Sequence, residues 1–110
     1  MRTIHKYELK TPDAVIDLPT GAKIVHFGMQ SKGIGDYGER FGFYLWVEFE
    51  FNNSSPPLVE ERAFSVVATG QILPDGYYRD LQHVQTIQVK HAGPETVWHL
   101  YEATPTHSPD

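Results

Sequence analysis

Six histidines, His5, His26, His83, His91, His99 and His107, are the side chains of this 110-residue chain best suited to hold a metal or move a proton near neutral pH. None stands in an HxH or HExxH spacing, the arrangements that put two imidazoles on one ion from a single element. His26, His83 and His99 fall in separate extended segments, so folding alone could bring them onto one zinc ion. Satisfied strand histidines or a surface row is the simpler reading, and no metal site is assigned. Cysteine is absent, which removes disulfides, thiolate ligands and thiol nucleophiles and leaves the redox compartment open.

Carboxylates for acid–base work could come from Glu48, Glu50, Glu60 and Glu61. Such chemistry needs a recess that perturbs their pKa values around a substrate, and a solvated strand face explains them without one. The serines carry no nucleophile-elbow pattern. Gly33-Ile34-Gly35-Asp36-Tyr37-Gly38 spells GxGxxG, but that fingerprint needs a helix next, with its amino end on a pyrophosphate. An alternating strand comes next instead. No catalytic, cofactor-binding or metal residues are assigned, no cofactor is expected, and the protein is read as a non-enzyme.

Side chains that recognise surfaces are better represented. The Gly-rich stretch 31–38 reads as a flexible loop able to adapt to a partner, with Ile34, Asp36 and Tyr37 at its heart. Tyr44 and Trp46 stand opposite a phenylalanine stripe, and Tyr77, Tyr78 and Trp98 come from other segments. Aromatic residues in such places anchor interfaces, although a second sheet packed on Tyr44 and Trp46 would explain those two equally well. An open edge strand could also pair two copies into a homodimer.

These residues must be positioned by strands. Phe41, Phe43, Leu45, Val47, Phe49 and Phe51 share one parity, against Gly42, Tyr44, Trp46, Glu48 and Glu50. Period two over eleven residues predicts a long central strand. Further strands are expected at Thr3–Leu9, Ala14–Leu18, Ala22–Gln30, Glu61–Gly70, His83–Lys90 and Thr96–Ala103. In the third, Val25, Phe27 and Met29 should share a face, with Ile24, His26 and Gly28 opposite. Phe64, Val66 and Ala68 are read as inward, and Val84, Thr86 and Gln88 as opposed to Gln85, Ile87 and Val89. Pro19-Thr20-Gly21 and Pro74-Asp75-Gly76 signal turns, 52–57 a loop, and Tyr77–Leu81 one helical turn or an irregular stretch. The fold class is therefore all-β, a small antiparallel sandwich or partly closed barrel of six to seven strands. Residues 1–103 are expected to form a single β-rich domain, with a C-terminal tail over 104–110.

A chain of this length can bury about two-thirds of its unfolded surface, enough for a core without staples. Nine basic against fourteen acidic residues give a net charge of −5. From Pro56 onward three bases face seven acids. That balance argues against direct nucleic-acid binding, since such binders gather positive charge on one face. No apolar run reaches membrane-spanning length and no signal peptide is visible, so no membrane partner is expected and the cytoplasm is the default.

Several strings resemble a family of small uncharacterised proteins found in bacteriophage and prophage genomes. They are His5-Lys6-Tyr7, Leu18 to His26 (containing LPxGAKI) with Gln30 after it, Trp46, Phe64 to Gly70, His83-Val84-Gln85-Thr86, and VWHLYE at Val97–Glu102. The resemblance implies no catalytic residues. It does imply a viral accessory protein in the host cytoplasm that binds and inhibits a host protein complex, such as a nuclease-based defence system. Sequestration of a small nucleotide-like ligand and a structural or assembly role in the virion are the alternatives.

Overall fold

A computed structural model of the chain describes residues 1–73, 78–90 and 95–105. They form seven strands: β1 (Arg2–Leu9), β2 (Asp13–Pro19), β3 (Lys23–Gly35), β4 (Gly38–Glu50), β5 (Val59–Ala68), β6 (Tyr78–Val89) and β7 (Thr96–Pro105). Two sheets result, one ordered β1-β4-β3 and the other β2-β5-β7-β6. The all-β class and the seven strands agree with the sequence pattern, and two sheets of three and four strands are the strand inventory of a small sandwich. Among the described residues no helix is long and apolar enough to cross a membrane. The chain separates into two compact units, Met1–Thr11 with Leu18–Glu60, and Pro12–Asp17 with Glu61–Asp110.

In the first unit β4 is the central strand, antiparallel to both neighbours. Its alternation does what period two demands: Leu45, Val47 and Phe49 are buried, with Leu9 and Phe27 from the flanking strands. The rings of Phe27 and Phe43 stack at 5.5 Å between centroids, and His5 meets Phe49 edge-on at 5.0 Å. The stripe is narrower than its sequence suggests, because Phe41 is exposed and Phe51 lies beyond the strand end.

Two bulges correct the reading of β3. Ile24 pairs with Val47 and His26 with Trp46, so Val25 is an extra residue facing no partner. Ile24 thereby joins the side of Phe27 and Met29, while Val25 turns outward and is exposed. Nor are residues 31–38 a loop. After a second bulge between Ser31 and Gly33 the ladder continues through Ile34↔Glu39 to Gly35↔Gly38, leaving only Asp36 and Tyr37 as the turn. Backbone groups pair whatever the side chain, so glycines that looked like a loop signal extend the hairpin. Gly38, at φ 109°, supplies the conformation that closes it. The Pro19-Thr20-Gly21 turn forms as read, with Ala22 N–H donating to Pro19 O at 3.0 Å and Gly21 at φ 76°.

The second unit is built around β5 and β7. Ala63, Phe64, Ser65, Val66 and Val67 are all buried, so β5 is covered on both faces and not on one alternating side. Ser65 Oγ donates to Asp13 Oδ1 at 2.8 Å, and Val66 N–H to Pro12 O at 2.8 Å. β6 begins at Tyr78, where a helical turn or irregular stretch was the expectation. Its register with β7 slips between Tyr78 and Asp80 and again between His83 and Gln85. The expected turn at Pro74–Gly76 and the tail beyond Pro105 lie outside the described residues.

Candidate functional site

The β3–β4 hairpin ends in the most exposed large apolar side chains of its sheet: Tyr37 is fully exposed and Ile34 is 85% exposed. Asp36 shares the two-residue turn with Tyr37, and Ile34 stands in the second pair below it, opposite Glu39. The Arg40 side chain crosses the ribbon and lies against Gly35, where a Cβ would stand 3.3 Å from its Cδ and Nε. The tip thus gathers an aromatic side chain and a carboxylate on a two-residue turn with an aliphatic side chain and a guanidinium from the paired arms just below it.

Tyr44 and Trp46 belong to the same β4 strand but not to the tip. Eight residues separate Trp46 from Gly38, a span of about 27 Å along a strand. Both are half-buried on the face opposite the core stripe, under side chains from the neighbouring strands. Lys6 Nζ lies 4.7 Å from the centroid of the Tyr44 ring and donates to Gln30 Oε1 at 2.9 Å, bridging β1 to β3 across β4. Lys32 Nζ makes a second bridge to Glu8 Oε2 at 2.6 Å, passing over Gly42. That hydrogen bond from the Lys32 ammonium holds the Glu8 carboxyl below the usual carboxylate range. His26 leans over Gly28 onto Trp46, with centroids 5.1 Å apart. Glycines at 28 and 42 leave the room these crossings need.

Tyr78 opens β6 in the other sheet, paired with Pro105, and Tyr77 is outside the described residues. Among the carboxylates, Glu48 accepts from Arg2 Nη1 at 3.0 Å and Glu60 Oε1 accepts from Gly21 N–H at 3.2 Å. The described recognition candidates therefore fall into a tip (Ile34, Asp36, Tyr37) and a covered mid-strand pair (Tyr44, Trp46) in the first unit, with Tyr78 in the second.

Sequence parity missed the threonines of one cluster. Thr69 Oγ1 and His99 Nε2 are 2.8 Å apart, His99 Nδ1 and Thr86 Oγ1 2.8 Å, and Thr86 Oγ1 and His83 Nε2 2.7 Å. The ring of His83 also meets Tyr101 edge-on at 5.5 Å. Residues 83 and 86 differ in parity and should oppose each other on a regular strand. The bulge at Val84 puts both on the side of Tyr101 and His99, their β7 partners. His26, grouped with His83 and His99 in the zinc reading, stands in the first unit against Trp46. Among the described residues no group of three or more His, Cys, Asp or Glu could hold a metal ion.

Fold and surface define a small all-β protein whose β3–β4 hairpin ends in exposed apolar side chains. The chain belongs to a family described as a domain of unknown function, DUF7352, whose model matches residues 1–109. No curated protein and no solved structure matches it. These findings correct one expectation. The family carries no viral description and no matching protein supplies one, so the anti-defence and host-inhibitor role drawn from the phage resemblance is withdrawn.

Proposed function

We propose that this chain is a non-enzymatic protein-binding module that seats the tip of its β3–β4 hairpin in an apolar recess of a partner protein. The observation that carries the reading is the exposure of Ile34 and Tyr37 together at the end of a ribbon whose ladder runs to Gly35↔Gly38. Burying such side chains is worth about 1.5–3 kcal/mol each, and tyrosine is among the residues that dominate interface energetics. A tip held by paired arms loses little conformational freedom on docking, so more of that gain appears as affinity. Asp36 and Arg40 flank the apolar pair with opposite charges and give the contact a polar rim.

Charge argues for a protein over a nucleic acid as the partner. The first unit carries six acidic and six basic residues, and the second carries eight acids against three bases. Neither has the positive excess that phosphate binding needs. Replacing Tyr37 by a photoreactive phenylalanine analogue tests the reading, with the same analogue at exposed Glu61 as control. One protein cross-linked from position 37 and not from position 61 is the expected result. Identical adducts from both positions, or none from 37, would overturn it.

A further inference from the structure

We infer that His83 and His99 form a two-imidazole site for a borderline divalent transition-metal ion, completed by solvent. His83 Nε2 and His99 Nδ1 both point at one atom, Thr86 Oγ1, at 2.7 and 2.8 Å. The two nitrogens are therefore less than about 5.5 Å apart, the sum of those contacts. An ion bound at about 2.0–2.1 Å from each needs them within about 4.2 Å. Side-chain rotations that bring the rings together and turn the Thr86 hydroxyl aside close that gap, with the ion between the two nitrogens.

Two further features belong to a metal site. The second nitrogen of His99 is held by Thr69 Oγ1 at 2.8 Å, the outer-shell contact that fixes a ligating imidazole's orientation and tautomer. Tyr101 braces the His83 ring from its edge. His83, Thr86 and Thr69 are exposed, so an ion can enter from solvent and keep water in its open positions. Two neutral imidazoles with water suit nickel, copper and zinc better than magnesium or calcium, which prefer oxygen donors. A pair of ligands from adjacent strands gives a weak, exchangeable site and not a closed structural one.

Nickel ion added alone to the full chain near neutral pH, monitored through the NMR signals of the histidine rings, tests the site. Paramagnetic broadening should reach the His83 and His99 rings at lower nickel than the other histidine rings. The double variant His83→Gln/His99→Gln should weaken nickel binding at least tenfold, and Thr69→Val by about tenfold through the lost orientation of His99. If the amide spectrum shows that the double variant has lost its fold, His83→Gln alone makes the comparison. Unchanged affinity in the folded glutamine variant, or equal broadening of all histidine rings, would overturn the assignment.

Discussion

Arg62 grips Glu102 with two guanidinium nitrogens, Nε to Oε2 at 2.6 Å and Nη2 to Oε1 at 2.7 Å, across the β5–β7 ladder. Its guanidinium carbon lies 5.8 Å from the centroid of Phe64, a ring only 2% exposed. One side chain thus pairs a carboxylate and roofs the core. Arg62→Ala should destabilise the fold by about 1–2 kcal/mol, below the cost of a fully buried pair because solvent reaches both partners. Arg62→Lys should recover less than half of that, since an ammonium cannot reproduce the fork. Chemical denaturation checks both, and an alanine variant as stable as the parent would refute the pairing.

The bridge from Lys32 to Glu8 has a pH signature. The Glu8 carboxyl titrates below its ordinary range in the folded chain, so the pairing stabilises the fold above that range. The contribution fades as pH falls through the lowered folded-state value. Lys32→Gln should return Glu8 to the ordinary range, read directly from its carboxyl NMR titration. Gly42→Ala should shift it the same way, because the new Cβ would stand 2.9 Å from Lys32 Cδ and push the side chain off its path. A Glu8 titration unmoved by either change would show that the bridge does not persist in solution.

Gly38 sets the geometry of the hairpin tip. Its φ of 109° is a conformation that side chains rarely adopt, with no neighbour near the missing Cβ. Gly38→Ala should therefore cost about 1–3 kcal/mol through backbone strain alone. Amide exchange should quicken over Ile34–Arg40 while β1 and the end of β4 keep their protection. Uniform exchange rates in parent and variant would mean that the turn takes another form.

β4 was legible because a strand buried on one face writes its pattern in every second residue, from Phe43 to Phe49. β5 was less so: a strand covered on both faces has a run of small and apolar residues, Ala63 to Val67, with no period to read. The bulges at Val25 and Val84 were invisible, because an inserted residue leaves no mark on composition and inverts the parity of the strand beyond it. That inversion concealed the half-buried Ile24 on the core side of β3 and Thr86 on the face that carries His83. Ile34, Asp36 and Tyr37 could be grouped from sequence because they stand close together in the chain. Their setting could not be read, since the glycines at 33, 35 and 38 looked like loop when they support a ladder.

The central claim is that the hairpin tip binds a protein. The most direct test is capture of partners by the tagged full chain and by an Ile34→Ser/Tyr37→Ser variant, side by side, with bound proteins quantified by mass spectrometry. Neither side chain packs into the core, so the variant should keep the parent's stability. The account predicts one stoichiometric partner on the parent chain, reduced at least tenfold on the variant. A partner retained equally by both would place recognition elsewhere on the molecule and contradict the claim.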